Sequence, residues 1–458
     1  MASFLRARGA YSVNSSSLHG DGVFAVHAVE VEEEQALWEE IPNLFLQSLE
    51  NRSDALICAN CHGFVGTLGT QLDVLQKKVS RQDIDQLALR ATRSEGPEDE
   101  RLSNSIIFCD QECGEMYCSQ ECAKVHWDRS HCLLCTGSMV EDEPLVQFKV
   151  QAVQTNEIFL MAADHFAEIC THVDAALSHM EDMDQRRQNA EGAAREATRP
   201  YASFVRNLWW DVAVPERGED GERLVESLKE MVHESWSYLN TALMLDARGL
   251  SDYLSAEYLS RTIGMFEQNN VGVRLRSPLA EKVDALYPGG DTVKIWSEAV
   301  SGIAAVLPPP EEELHCTEIH EYAHHGDERE GREKEEMEMD GDSGDPAYDA
   351  IFHTFETYDD TVILPPVDGA AFYLNICKIN HSCEPNVRVE YKHGSESDLK
   401  VRGGAKKLTA YVKALRPIAQ GEELLQAYVD EHLPFEERVR ALAEYGFTCS
   451  CGKCQRGD

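Results

Sequence analysis

Cysteine spacing near the C-terminal end is the feature that most restricts how this chain can fold. Three thiols form a C-x-C-x-x-C group there: Cys449, Cys451 and Cys454. A structural tetrahedral zinc site takes four protein ligands, so a fourth must come from a distant part of the chain. Cys383 is the natural candidate, because it lies in the run Asn-His-Ser-Cys-Glu-Pro-Asn. Its use would fix the C-terminal tail against the loop that carries Asn380 and His381.

Three motifs follow one another within 75 residues. They are the Asn-His-Ser-Cys-x-Pro-Asn run from Asn380, Gly-Glu-Glu-Leu from Gly421 with Tyr428 after it, and the C-x-C-x-x-C group. Taken separately, an Asn-His pair in a turn usually satisfies backbone groups, and a cysteine tail can be an isolated metal staple. In this order the motifs resemble the signature of the SET fold, whose two C-terminal motifs cross around S-adenosylmethionine. The resemblance implies a protein-lysine N-methyltransferase.

A second set of metal-ligand residues lies in the N-terminal third of the chain. Seven cysteines and one histidine are enough for two zinc ions. The set resembles a MYND finger, in which ligand pairs interleave between the ions. On that pattern one zinc takes Cys58, Cys61, Cys118 and Cys122, and the other takes Cys109, Cys113, His131 and Cys135. With the C-terminal group, three zinc ions are expected.

Two departures from the MYND pattern leave alternatives open. A separation of 47 residues between the first two cysteine pairs indicates an inserted loop over 72–104. The Cys109-x-x-x-Cys113 spacing is one residue longer than usual, so His126 and Cys132 are alternative ligands with less favourable spacing. The module is expected to be mainly structural, because metal binding supplies folding free energy. It is also expected to receive proline-containing peptides, as MYND fingers do.

Composition indicates sizeable cores and a reducing compartment. The chain has 458 residues, of which 43% are hydrophobic, which is enough for sizeable cores. It has 15 cysteines, and its N-terminus lacks the pattern of a secretory signal. These two features favour metal-bound and reduced thiols in the nucleus or cytoplasm. No run approaches the roughly 20 apolar residues of a membrane span. The net charge of −39 disfavours direct nucleic-acid binding and suits a basic protein substrate, such as a histone H3 tail. Residues 311–345, with fifteen acidic and three basic side chains, are interpreted as a disordered insertion.

The pattern along the chain is that of an α+β protein. The segment His-Gly-Asp-Gly from His19, followed by alternating apolar residues, resembles the first SET hairpin, whose glycine turn lets the backbone approach the methyl donor. Helices are predicted over 150–183, 221–247 and 251–270, and strands over 371–376 and 407–415.

The whole chain resembles the SET-and-MYND (SMYD) arrangement, with likeness to plant trithorax-related SET proteins and the divergent SMYD branch. The expected fold is a SET β-fold with an inserted MYND zinc finger, a helical insert subdomain and a post-SET zinc site. The expected boundaries are 1–50 for the N-terminal SET segment, 51–140 for the zinc finger, 141–306 for the helical insert, 307–347 for the acidic loop, 348–446 for the SET core and 447–458 for the post-SET motif. The chain stops four residues after Cys454, so the helical C-terminal domain of most SMYD proteins is expected to be absent and the substrate cleft more open.

The resemblance also gives roles to individual residues. Tyr428 would be the catalytic residue, with its hydroxyl at the methyl-transfer point, and Tyr445 and Phe447 would line the lysine channel. Contacts to the cofactor would come from Gly20, Asp21, Gly22, Asn269, Asn380, His381 and Phe447. Asn270 is an alternative to Asn269, while the family's usual asparagine aligns with Gly264.

Two functional classes compete for this sequence. The first is a lysine methyltransferase, and the second is a MYND-based adaptor or transcriptional cofactor with little or no activity. The presence of Asn380, His381 and Tyr428 favours the enzyme, because an inactive site has no chemical need for that trio. A third hypothesis, a methyltransferase that acts on a non-protein substrate, is supported by no specific residue.

Overall fold

Short strands and a layer of helices make up the protein. The computed structural model describes residues 5–7, 11–31, 36–66, 70, 106–214, 218–277, 366–393, 408–443 and 445–458. None of the helices in these ranges combines the length and the apolar character needed to cross a bilayer. The expected inserted loop 72–104, the acidic loop 307–347, residues 278–306 of the helical insert and residues 348–365 of the SET core lie outside the described residues.

The strands are numbered in chain order. They are β1 (Leu5–Ala7), β2 (Tyr11–Ser15), β3 (Asp21–Ala25), β4 (Trp38–Glu40), β5 (Leu44–Gln47), β6 (Ile107–Phe108), β7 (Met116–Tyr117), β8 (Val271–Leu275), β9 (Val367–Phe372), β10 (Asn380–His381), β11 (Val387–His393), β12 (Leu408–Ala414) and β13 (Glu423–Gln426). They form sheets of order β1-β4-β12-β11, β10-β13-β3-β2 and β5-β9-β8, and the ribbon β6-β7.

The sheet β10-β13-β3-β2 unites both ends of the chain. Its pair β10 and β13 is parallel, with Asn380 beside Leu425, and β13 continues antiparallel to β3, with Leu424 opposite Val23. Leu424 and Val23 are almost fully buried, in a core that also contains Trp38 of the neighbouring sheet. Apolar burial on one face therefore fixes the register that places the Asn-His turn beside the N-terminal hairpin.

The helices are also numbered in chain order. They are α1 (Gln120–His126), α2 (Cys132–Leu134), α3 (Pro144–Thr155), α4 (Ile158–Ala176), α5 (Met183–Thr198), α6 (Trp209–Ala213), α7 (Glu219–Ala242), α8 (Leu245–Arg248), α9 (Ala256–Asn269), α10 (Phe435–Ala443) and α11 (Gly452–Arg456). A π-helical turn over Trp127–His131 joins α1 to α2.

Helices α3 to α9 share one core with β5 and β9. Helix α4 lies at its centre, with twelve of its 19 residues buried. Phe372 of β9 packs against this layer, because its ring centroid is 4.7 Å from that of Phe204 and 5.2 Å from that of Phe266. Side chains define where the helices begin: Asp182 caps α5 and Ser255 caps α9 by accepting backbone N–H groups of the first turn.

Several sequence predictions agree with these elements, and others need correction. The strand predicted over 407–415 is β12, and the helix predicted over 251–270 is α9 with a shorter start. The helix predicted over 150–183 is two helices, since Asn156 interrupts it by accepting a hydrogen bond from Ile158 N. The strand predicted over 371–376 is wrong, because β9 ends at Phe372 and residues 376–378 form a 3₁₀ turn.

Candidate active site and metal centres

The Asn-His turn is tied to the N-terminal hairpin by the side chain of Asn380. Its amide nitrogen lies 3.1 Å from His19 O, 3.1 Å from Asp21 O and 2.8 Å from Glu423 Oε1. An amide nitrogen has two hydrogens, so this set of acceptors satisfies it completely. Asn380 and His19 are 361 residues apart in the chain, and the hydrogen bond between them joins two of the predicted motifs.

Two glycines shape the hairpin beside Asn380. Gly20 has φ of +50°, a left-handed conformation that glycine adopts without steric cost. A Cβ atom on Gly22 would lie only 2.3 Å from Glu423 Oε1 and 3.0 Å from Ser16 Cβ. The absence of a side chain at Gly22 therefore lets the hairpin and the Glu423 carboxylate approach closely, and it leaves bare backbone where the sequence predicts a cofactor contact.

Tyr428 follows β13 and lies in a group of aromatic rings. Its hydroxyl donates a hydrogen bond of 2.9 Å to Ile379 O, one residue before Asn380. Its ring centroid is 5.4 Å from that of Tyr445, 6.2 Å from that of Phe447 and 5.3 Å from that of His381. Burial raises the pKa of Tyr428 above its usual range, so the phenol stays protonated and acts as a hydrogen-bond donor.

His381 connects Tyr428 to a thiol. The backbone N–H of Tyr428 donates to His381 Nδ1 at 2.9 Å, and His381 Nε2 lies 3.3 Å from Cys383 Sγ. Burial, with the Arg438 guanidinium as a smaller influence, lowers the pKa of His381 to about 4, so the ring is neutral at pH 7. The network assigns the acceptor role to Nδ1 and the proton to Nε2. The imidazole therefore orients the main chain at Tyr428 and faces Cys383, a role that the sequence did not suggest.

Glu40 supports the same region from β4, and no sequence pattern pointed to it. Its buried carboxylate accepts hydrogen bonds from Asn375 N, Asn375 Nδ2 and Ile376 N at 3.0 to 3.1 Å. These bonds hold the 3₁₀ turn that leads to Ile379, whose carbonyl receives the Tyr428 hydroxyl. Burial raises the pKa of Glu40, while the hydrogen bonds from Asn375 and Ile376 oppose that shift.

Cys383 meets the C-terminal thiols, as the spacing argument predicted. The Sγ atoms of Cys383, Cys449, Cys451 and Cys454 all lie within 4.8 Å of one another. Cys454 Sγ and Cys383 Sγ are 3.5 Å apart. Two Zn–S bonds of about 2.3 Å at a tetrahedral angle give an S···S distance of about 3.8 Å, so this group fits one zinc ion.

The first N-terminal ligand group consists of four buried thiols. Cys58, Cys61, Cys118 and Cys122 have their Sγ atoms within 4.8 Å of one another, with separations of 3.6 Å for Cys61–Cys118 and 3.4 Å for Cys118–Cys122. Ser119 positions two of these thiols, because it caps α1 and accepts a hydrogen bond from Cys122 N. An all-thiolate tetrahedral group of this kind is closed, which is typical of a structural zinc site.

The second N-terminal group contains a histidine. His131 Nε2 lies 3.3 Å from Cys113 Sγ and 3.4 Å from Cys109 Sγ, and Cys135 Sγ is 3.7 Å from Cys109 Sγ. These atoms lie within 4.8 Å of one another. The alternative ligand His126 is engaged elsewhere, since its Nδ1 is 3.0 Å from Tyr117 Oη. The longer Cys109-x-x-x-Cys113 spacing is therefore compatible with a four-ligand group.

The Asn269 side chain, expected to contact the cofactor from the helical insert, makes hydrogen bonds inside the protein. The Asn269 amide donates to Met265 O at 2.7 Å and to Val205 O at 3.3 Å, both within the helical layer. A Cβ atom at Gly264 would lie 2.2 Å from Asn207 O, so the backbone there leaves no room for an asparagine. Asn269 is thus held beside Val205, and its contact to the cofactor stays a prediction.

Comparison with known proteins agrees with this geometry. The family profile described as SET domain matches residues 117–429. The histone-lysine N-methyltransferase ATXR2 of Arabidopsis thaliana is 26% identical over 96% of this chain and 89% of its own length. Shorter matches include the histone-lysine N-methyltransferase Smyd1 of Mus musculus, 34% identical over 19% of this chain and 18% of its own length. The N-lysine methyltransferase SMYD2 of Homo sapiens is 35% identical over 20% of this chain and 18% of its own length.

The profile match spans more than half of the chain and includes both Asn380 and Tyr428. The ATXR2 match extends over nearly the whole sequence. This chain therefore belongs to the SET-domain family, among its SET-and-MYND-like lysine methyltransferases.

Proposed function

We propose that the protein transfers a methyl group from S-adenosylmethionine to lysine side chains of basic proteins, with histone H3 tails as the first candidates. The observation that carries this proposal is the position of Tyr428. Its hydroxyl is bound to the carbonyl next to Asn380, while Asn380 is bound to the glycine hairpin. The Tyr428 hydroxyl thus connects the predicted cofactor contacts with the predicted lysine channel.

The residues around Tyr428 supply what methyl transfer to an amine requires. The donor contributes an electrophilic methyl group on a sulfonium, and the protein must provide a neutral amine in line with it. A lysine ammonium has an ordinary pKa of about 10.4. The rings of Tyr428, Tyr445 and Phe447 form an apolar wall that penalises the charged amine and favours proton loss.

Tyr428 itself is suited to orientation. Because its phenol remains protonated and its hydrogen points to Ile379 O, its oxygen lone pairs are available to the substrate amine. The fixed direction of this group aligns the amine without reorganisation during the reaction. No described side chain beside the Tyr428 hydroxyl acts as a general base, so we assign proton acceptance to water.

Three zinc ions are proposed for the three ligand groups, two in the MYND-type region and one in the post-SET region. Their ligand sets are Cys58, Cys61, Cys118 and Cys122; Cys109, Cys113, His131 and Cys135; and Cys383, Cys449, Cys451 and Cys454. Each set supplies four ligands and leaves no open coordination position, which supports a structural role. Zinc would stabilise these loops by contributing folding free energy.

The MYND-type region also offers a surface for a proline-containing peptide. Trp127 is 38% exposed and lies edge-on against His131, with ring centroids 5.8 Å apart. Exposed aromatic rings on a rigid support are typical of sites that receive proline-rich segments. We propose that binding of such a peptide recruits a partner protein, in addition to the catalytic function.

The test is methyl transfer from labelled S-adenosylmethionine to histones and to cell extract, with wild type and Tyr428→Phe. Loss of this oriented hydroxyl oxygen is expected to lower the rate about 10²- to 10³-fold, while binding of S-adenosylhomocysteine is retained. Tyr391→Phe is the matched control, because Tyr391 lies on β11 outside the aromatic group.

Equal rates for wild type and Tyr428→Phe would refute the role of Tyr428. A wild-type protein that binds the cofactor but labels no substrate would instead favour the adaptor function. Mass spectrometry of the labelled extract identifies the substrate lysines.

A further inference from the structure

Lys378 is a half-buried lysine beside the site, and its ammonium has no carboxylate partner among the described residues. It ends the 3₁₀ turn Ile376–Lys378, two positions before Asn380. Its Nζ lies 4.8 Å from the ring centroid of Phe204, and no described carboxylate comes within ion-pair distance of it. An ammonium that loses hydration without gaining a hydrogen bond is costly. Such a group, two positions before Asn380, is suited to bind an anionic group of a ligand.

The acidic groups near Lys378 do not fill that role. Asp21 and Glu40 are the carboxylates whose fields act on its ammonium. The Glu40 carboxylate is already occupied by N–H groups of Asn375 and Ile376. Asp21 is held through its backbone, where its carbonyl accepts the Asn380 amide. Lys378 and Asp21 therefore present a cation and an anion to the same region without pairing with each other.

The methionine end of S-adenosylmethionine carries an α-carboxylate and an α-ammonium on one carbon. We propose that Lys378 binds the α-carboxylate of the methyl donor, and that Asp21 faces its α-ammonium. The assignment rests on the proposed function and adds a specificity determinant to it. Lys378 selects adenosyl compounds that carry an amino-acid end over those that lack one.

A second lysine near an aromatic ring serves as a comparison, because it also has a carboxylate partner. Lys229 Nζ lies 6.0 Å from the Trp210 ring, and its charge is also paired with Glu226 at 3.3 Å. Lys378 has the ring contact without the carboxylate. Lys229→Met is therefore a matched control, since it removes a ring-stacked ammonium in the helical layer.

The experiment is calorimetric titration of the full chain with two ligands. S-adenosylhomocysteine carries the amino-acid end, and 5′-methylthioadenosine lacks it. Lys378→Met keeps an apolar side chain over Phe204 but removes the charge. We expect its Kd for S-adenosylhomocysteine to rise about 10- to 100-fold, the range of a lost hydrogen bond to a charged group. The Kd for 5′-methylthioadenosine should not change, and Lys229→Met should bind both ligands as wild type does.

Lys378→Arg is expected to recover most of the affinity, because it restores a cation at the same place. Unchanged binding of S-adenosylhomocysteine by Lys378→Met would overturn the assignment while leaving the proposed function intact. Equal weakening of both ligands would overturn it as well, since Lys378 would then act through the fold. A wild-type protein that binds neither ligand would contradict the proposed function itself.

Discussion

Replacing Cys383 by serine tests whether the reaction site depends on the C-terminal thiol group. Cys383 Sγ lies 3.5 Å from Cys454 Sγ and 3.3 Å from His381 Nε2. The other ring nitrogen of His381 holds the backbone of Tyr428. We expect the variant to lose zinc from this group and to transfer methyl groups more slowly, because partners of this kind orient the residues that they contact.

The size of the effect follows from the ligand count. Structural zinc in small domains binds with an apparent free energy of about 10–16 kcal/mol. Divided over four ligands, one thiolate accounts for about 2.5–4 kcal/mol, or roughly 10²- to 10³-fold in zinc affinity. The hydrogen bond from Tyr428 N to His381 Nδ1 carries about a further 1 kcal/mol. Its loss is expected to lower the rate about fivefold to tenfold beyond any loss of folded protein.

The assay is zinc content after dialysis against a chelator, followed by the methyl-transfer rate of the same sample. Wild type should retain three zinc ions per chain, as proposed, and Cys383→Ser two. Cys377→Ser is the matched control, because this thiol lies in the nearby 3₁₀ turn before β10 and belongs to none of the ligand groups. Three zinc ions with full activity in Cys383→Ser would refute the dependence, and so would the same losses in Cys377→Ser.

Two further predictions use other regions of the molecule. Gly22→Ala should weaken S-adenosylhomocysteine binding at least about tenfold, as measured by calorimetry. The new Cβ atom would displace the Glu423 carboxylate from its hydrogen bonds with Asn380 and Ser16. Gly192→Ala is the control and should have no effect, because a Cβ atom there would have no neighbour within 4 Å. Burial raises the pKa of Glu168 to about 8 against the opposing effect of the Arg129 guanidinium 3.2 Å away. The folded protein therefore favours the protonated acid, and wild type loses stability as pH rises from about 4.5 through 8. Glu168→Gln does not bind this proton. The difference in free energy of unfolding between this variant and wild type should therefore shift in favour of the variant as pH rises from 6 to 8, by up to about 1.4 kcal/mol per pH unit. Chemical denaturation measures this difference at each pH, and a difference that stays constant or shifts in favour of wild type would contradict the prediction.

Motif spacing was enough to predict which residues meet in the three ligand groups. Zinc ligands come in short pairs along the chain, so the local sequence identifies them even where the pairs of two sites interleave. The same holds for Asn380 and Tyr428, which sit at fixed offsets from recognisable neighbours. The strand over 407–415 was predictable because its apolar residues face a core.

Contacts over long sequence separations could not be predicted in this way. Glu40 lies 335 residues from Asn375, and its neighbour Glu39 is buried too, so the Trp-Glu-Glu segment lacks the alternation that would mark one carboxylate as internal. The side chain of Asn269 donates to Met265 O and Val205 O, contacts set by the packing of α9 against the loop before α6. Backbone and packing decided these cases, and neither is visible in a pattern of residue types.

The sheet that joins β3, β10 and β13 has a consequence for how the protein is made. Asp21 leaves the ribosome 359 residues before its hydrogen-bond partner Asn380. At synthesis rates of about 5–20 residues per second, the hairpin waits roughly 20–70 s for the strand that completes its sheet. During that interval its edge and its apolar face are exposed, so the nascent chain is a client for chaperones well before it can bind a methyl donor.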